Sequence, residues 1–245
     1  FVNEFEKAHQ NEPGGEAAEL SLGAAMVVCQ AGFTFLKAFA LCEALLKNAK
    51  QLTAQDREGP APRARRESSL DWLIVTSEVD SDVSVLRART ATVKSAEPQG
   101  GRALLTAKPY RLSGPGSEFT QFVKDARKVL EQLPRSQTRP ALNECRRGET
   151  AGNKVWQQLV RNLERGLGGR HDEALMSIAE FRKIFPDGFF TDDTRCGRQV
   201  RFTKLGDYLE LSALLPKGSR ERTAYLKLLG AADAGGNTDE QGGAA

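Results

Sequence analysis

The sequence is poor in the residues that hold metals and crosslinks. Its 245 residues include four cysteines and two histidines, and Cys29, Cys42, Cys145 and Cys196 nowhere approach a C-x-x-C spacing. That gives no zinc ribbon and no disulfide framework, the usage expected of a reducing cytoplasm. Cys29 lies in an apolar run and Cys42 on the apolar side of a helical pattern, so both read as core residues. No apolar run is long enough to cross a bilayer, and the N-terminus lacks the layout of a signal peptide. Gly-x-x-x-x-Gly-Lys, His-Glu-x-x-His and Gly-x-Ser-x-Gly are absent, which leaves the P-loop, zincin and α/β-hydrolase chemistries without a foothold. An initiator methionine is missing too. Phe1, Phe5 and Ala8 fall at helical spacing from the first residue, as expected of a piece of a longer polypeptide.

What is present is an ordinary globular composition, 40% hydrophobic and 27% charged, with an uneven charge. The chain carries a net charge of +3. Residues 101–147 alone hold ten Lys or Arg against four Asp or Glu. Such a segment reads as a phosphate-tracking surface, a docking face for an acidic partner, or a solvated helix face.

Hydropathy divides the chain into a mixed front and a helical back. Leu20 to Cys29 is almost continuously apolar, the pattern of a strand buried on both faces. From Phe35 the positions Phe35, Phe39, Cys42, Leu46 and Ala49 form one helical stripe, closed by Lys47 and Lys50 where the macrodipole favours cations. Residues 53–68, with two prolines and clustered arginines, predict an exposed loop. Leu70 to Thr76 predicts a second strand, with Trp72 and Ile74 opposite Leu73 and Val75. Val83, Val85 and Leu86 predict a short helix or turn, 98–101 a loop, and 104–106 a short third strand.

From Ser117 the period is helical. Ser117 is placed to cap a helix with Phe119, Phe122, Ala126, Val129 and Leu133 on one face, and Ser136 to cap the next, ending at Gly148. Further helices are expected around 155–163, 175–185, 205–211 and 219–229, with a small hairpin within 188–203. The Gly- and Ala-rich residues 231–245 have nothing to bury and predict a disordered tail. Two or three strands leave backbone groups unpaired at their edges, so the front sheet needs strands from another segment.

The phrases LSLGAAMVVC (20–29), FLKAFALCEALLKNAK (35–50), SSLDWLIVTS (68–77), LLTAKPYRL (104–112) and LPRSQ (133–137), with a helix closing at RRG (146–148), occur in this order. In that order the chain resembles the final part of the large palm-domain subunit of type III CRISPR effector complexes. The resemblance covers about two thirds of the sequence. It implies an α+β fold: residues 1–111 as the C-terminal half of a nucleotidyl-cyclase/polymerase-like (ferredoxin-like) palm, 112–230 as a helical domain, and 231–245 as the tail. The partners it implies are the other subunits of the complex, guide and target RNA, and the upstream half of the palm itself, in the cytoplasm and with no membrane.

The same resemblance implies a palm that makes cyclic oligoadenylates from ATP with Mg²⁺ or Mn²⁺. Ser21 and Gly23 match the strand facing the base, Lys50 lies near the triphosphate, and Arg135 and Arg139 lie beside LPRSQ, where the helical domain meets RNA or small subunits. Palm enzymes hold two metals on paired carboxylates at a hairpin tip, and the Gly-Gly-Asp-Asp that supplies them in the family does not occur here. Gly14-Gly15-Glu16 has a similar sequence without the preceding apolar strand, and Asp192-Asp193 reads as a solvated turn. The sequence also departs from the family at Cys29-Gln30-Ala31-Gly32-Phe33, where many relatives carry His and Lys. A catalytically inactive scaffold subunit, or a stand-alone palm-domain defence protein without guide RNA, are the alternative readings.

Overall fold

The computed structural model describes residues 21–55, 67–75, 82–96, 101–112, 117–133, 135–164, 177–195 and 198–214. The readings at Phe1–Ala8, Gly14–Glu16, 56–66, 97–100, 165–176, 219–229 and the tail lie outside these residues. What is described is a mixed α/β structure with two small mixed sheets.

The first sheet is built from β1 (Gly23–Cys29), β2 (Ser69–Val75) and β5 (Tyr110–Arg111), in the order β1-β2-β5. β1 and β2 run parallel and in register from Gly23↔Ser69 to Cys29↔Val75. A parallel pair needs a crossover, supplied here by α1 (Phe35–Gln55). The buried stripe of α1 is Leu41, Leu45, Ala49 and Leu52, at the i, i+4, i+8, i+11 spacing of one helix face. Phe35 and Phe39 are exposed at 77% and 53%, so the stripe expected through them is corrected. The helix also runs on to Gln55, placing Lys50 more than a turn before its end.

β2 is buried on both faces, as the alternation of Trp72 with Leu73 implies. Leu70 and Trp72 join the main core, while Leu73 and Val75 pack with Leu41, Leu45, Val83 and Leu86 in a second, smaller one. β1 is only half buried. Ala25, Val27 and Cys29 face that smaller core, and Met26, on the opposite face, stays 40% exposed. On the α1 side of β2, Asp71 is fully buried and paired with Arg87 of α2 (Val83–Thr90), whose N-cap is Asp82.

The second sheet has the order β3-β4-β7-β6, from β3 (Thr92–Lys94), β4 (Arg102–Leu104), β6 (Thr191–Arg195) and β7 (Arg198–Phe202). The hairpin expected within 188–203 is present, and β7 adds in parallel to β4. This sheet takes strands from both sides of residue 112. The remaining helices are α3 (Glu118–Gln132), α4 (Arg135–Arg147), α5 (Glu149–Glu164), α6 (Ile178–Ile184) and α7 (Leu205–Leu214); α4 packs on β3 of this sheet and α3 on β5 of the first. Ser117 Oγ accepts from Thr120 N at 3.2 Å, capping α3 as expected. Ser136 does not cap α4, because that helix already begins at Arg135.

The main core is aromatic. Ring centroids are 5.4 Å apart for Trp72–Tyr110, 4.6 Å for Tyr110–Phe122, 5.3 Å for Phe122–Tyr208 and 6.1 Å for Phe185–Tyr208. Each such pair adds about 0.5–1.5 kcal/mol beyond its buried area. The chain of rings ties the first sheet to α3, α6 and α7.

One buried carboxylate reinforces that tie. Asp207, 1% exposed, accepts from Thr106 Oγ1 at 2.7 Å, Ala107 N at 2.8 Å and Tyr110 OH at 2.7 Å. Lys108 Nζ lies 3.7 Å from Asp207 and 2.5 Å from Glu210 Oε2, and 4.8 Å over the Trp72 ring. Burial, with the Asp207 charge beside it, raises the Tyr110 hydroxyl well above its ordinary range, so it serves as a neutral donor.

Candidate functional site

The residues assigned to a nucleotide wall converge on the start of β1 and the second half of α1. Ser69 N donates to Leu22 O at 2.9 Å, Leu22 N to Ser68 Oγ at 3.0 Å, and Ser69 Oγ to Ala49 O at 2.7 Å. These bonds fix both strand starts against the helix. Gly23 then faces α1 so closely that a Cβ there would lie 2.9 Å from Lys50 Cγ and 3.3 Å from Leu46 Cδ1. Glycine at 23 is what lets the Lys50 stem lie across the strand while its ammonium stays exposed. Lys50 makes no ion pair with any described residue. Beside it is an open depression of about 430 Å³ lined by Glu43, Leu46, Lys47, Lys50, Gln51 and Ala54. Ser21 is half-buried just ahead of the strand.

The arginines lie elsewhere. Arg135 is the first residue of α4. Arg139, one turn later, is exposed on a face with Ser136, Asn143, Arg146 and Arg147. The opposite face buries Thr138, Ala141, Leu142 and Cys145. Burial, with Glu144 nearby, pushes the Cys145 thiol up to about 12, so it is a core residue.

A third location escaped the sequence reading, the corner where α4 turns into α5. Gly148 holds φ +134°, with Lys94 O 3.5 Å from where its Cβ would stand. A left-handed glycine is the common way to end a helix, and here it also lets the end of β3 approach. Glu149, 1% exposed, locks the corner: it accepts from Ser95 Oγ at 3.0 Å, Ala96 N at 2.7 Å and Arg201 Nε at 2.6 Å. Burial alone would raise its pKa, but these donors and the Arg201 charge outweigh it and hold the carboxyl below its usual range. Arg201 also grips Asp192. Asp192 and Asp193 therefore sit on strand β6, not in a solvated turn, and Asp192 is committed to an ion pair. The corner borders a cleft of about 540 Å³ lined by Lys94, Glu144, Arg147, Thr150 and Lys154 among others. Lys94 and Lys154 fall outside the segment 101–147, so charge counting along the sequence could not join them to it.

Comparison with protein-family models and with curated proteins finds no match to this chain. The site readings therefore stand on the residues themselves. Among the described residues no group of three or more His, Cys, Asp or Glu is arranged to hold a metal, and no helix is long and apolar enough to cross a membrane.

Proposed function

We propose that the chain is part of the large subunit of an RNA-guided type III CRISPR effector complex. In this reading it contributes the nucleotide-binding wall of a palm that makes cyclic oligoadenylates, and a helical region that docks subunits and RNA. The observation that carries the reading is the ordered series of phrases from LSLGAAMVVC to LPRSQ. The placement of Lys50 supports it: a free ammonium held over a glycine at the mouth of an open depression suits a point contact with phosphate oxygens. Lys50 would bind the triphosphate and Ser21 and Gly23 would border the base.

ATP supplies the transferred adenylyl group when bound, and Mg²⁺ or Mn²⁺ the charge neutralisation that such transfers need. The described residues offer the phosphate Lys50, while the acid pairs among them, Asp207 with Glu210 and Glu149 with Asp192, are taken up by Lys108 and Arg201. No metal-dependent step is assigned to them.

The test is purification of the protein from its native host, with sequencing of bound RNA and identification of bound subunits. A stoichiometric guide RNA with a filament of small subunits is expected. Protein free of RNA and partners would overturn the reading. In the RNA-bearing complex, Lys50→Ala is expected to weaken ATP binding; unchanged affinity would remove Lys50 from the wall.

A further inference from the structure

The α4–α5 corner carries more positive charge than its own acids consume. Of the two carboxylates at the cleft, Glu149 is engaged by Arg201 at 2.6 Å and Glu144 by Arg147 at 3.0 Å. Lys94 and Lys154 line the same cleft and make no ion pair with any described residue. Two uncompensated ammonium groups on one concave surface repel each other, and an anion seated between them relieves that repulsion. They project from different elements, β3 and α5, whose mutual position is fixed by Ser95 and Ala96 bonding to the first residue of α5. The backbone positions that carry the two lysines are therefore held together without a ligand.

The charge also continues beyond the cleft. Arg102, exposed, is the direct cross-strand partner of Lys94. Arg146 and Arg139 extend the other way along the exposed face of α4, seven residues apart and so about 10 Å along the helix axis. A single small anion would leave these outer cations unused, whereas an anion that repeats along a chain meets them in turn. Lysine ammoniums accept oxygens from any direction and arginine forks suit phosphate oxygens. The cleft is the size of a small-molecule pocket, room for a phosphate and the neighbouring sugar and too small for a duplex.

We infer that the cleft bounded by Lys94, Arg147 and Lys154 binds the phosphodiester backbone of a single-stranded nucleic acid, which continues over Arg102 on one side and over Arg146 and Arg139 on the other. The inference deepens the RNA-docking part of the proposed function, to which Arg139 belongs, but is argued from the charge and geometry of this corner; oligonucleotide binding by a protein that purifies without guide RNA would separate the two.

The experiment is fluorescence anisotropy of the full chain with labelled twenty-nucleotide oligouridylate and oligothymidylate across a salt series. Lys94→Ala/Lys154→Ala is compared with wild type and with Lys37→Ala/Lys183→Ala, which removes the same charge from exposed positions outside both clefts. Each lost phosphate contact lowers the slope of log K against log salt by about 0.7 for single strands. The Lys94/Lys154 variant is therefore expected to lose about 1.4 of slope and roughly twentyfold in affinity at 0.1 M salt, with both oligonucleotides. The Lys37/Lys183 variant should change by less than about twofold. Equal losses in the two variants, no loss in the first, or equally tight binding of a poly-glutamate of the same length would overturn the inference. So would displacement of the oligonucleotide by inorganic phosphate at equal phosphate concentration, which would mark a site for a single free anion. Thermal melts of the variants check folding, and Lys94→Glu/Lys154→Glu, expected to abolish binding, provides the second charge perturbation.

Discussion

Replacing Asp207 by Ala should be among the most destabilising single changes in this chain. The carboxylate is 1% exposed and takes three hydrogen bonds between 2.7 and 2.8 Å, from groups with little access to water. Removing it orphans the Thr106 and Tyr110 hydroxyls and the Ala107 amide. It also takes away one of the two acids beside Lys108, whose side chain is 3% exposed. An unsatisfied buried donor costs about 1–3 kcal/mol, and breaking a buried charged pair about 3–5 kcal/mol. The two counts overlap and partial hydration offsets some of each, so about 4 kcal/mol is expected in total. That is a large part of the ~5–15 kcal/mol available to a typical domain. With a urea slope of about 2 kcal/mol/M the unfolding midpoint should fall by roughly 2 M. Asp207→Asn keeps the shape and one acceptor and should lose about 1–2 kcal/mol. Tyr110→Phe removes a single donor and should lose about 1 kcal/mol. Urea titrations followed by circular dichroism and tryptophan fluorescence read all three. An Asp207→Ala protein within about 0.5 kcal/mol of wild type would show that the ring cluster alone joins the first sheet to α7.

Further outcomes are expected from other sites. Gly206→Ala, which on an open helix face would be neutral or stabilising by up to about 1 kcal/mol, places a Cβ 2.5 Å from Leu105 O and should instead cost about 2 kcal/mol, checked by the same titration. Glu149→Gln should destabilise by about 2 kcal/mol at neutral pH. The Glu149 carboxyl titrates below its usual range in the folded state, so its contribution is present above the unfolded value, about 4.3, and is lost as pH falls through the lower folded value. Wild type and variant should therefore converge in stability at the acid end of a pH series, and a constant gap would refute the assignment. Cys145, with its thiol pushed up to about 12, should resist alkylation in the native chain and react only in denaturant, as peptide mass spectrometry would show; native modification at Cys145 would contradict its burial.

Much of the architecture was legible because local patterns carry it. Ser117 followed by Phe119, Phe122, Ala126 and Val129 states both the start and the face of α3, and β2 is bounded by alternation that the two cores honour. The error on α1 has a physical source. Its first turns, FLKAFALCEALL, are apolar on more than one face, so period alone offered two stripes. The sheet beneath selects the one through Leu41 and Leu45. Ser136 looked like a cap because its type suits one, but nothing local marks where α4 begins. The Gly23–Lys50 approach was foreseen only as a shared location, since the clash that demands glycine exists only once strand and helix are packed. Asp207 gave no signal at all. In LGDYLE it has the sequence of a surface acid, and its partners lie about a hundred residues earlier. The α4–α5 cleft is hidden for the same reason, assembled by Gly148 and Glu149 from strands and helices that charge counting keeps apart.

The distance between Thr106 and Asp207, 101 residues along the chain, has a consequence for how the molecule is made. β1, α1 and β2 are close in sequence and their pairing is available early, but β4 gains its parallel partner β7 only after everything between them has been synthesised. At about 5–20 residues per second, the strand edge of β4 and the polar groups around Thr106 wait roughly 5–20 s for the residues that cover them. During that interval the nascent chain displays an open edge next to half-built aromatic packing, the kind of surface that chaperones hold. A long-range closure of this sort also slows refolding. The β6–β7 hairpin and α7 thus act as the clasp that closes this core as it emerges.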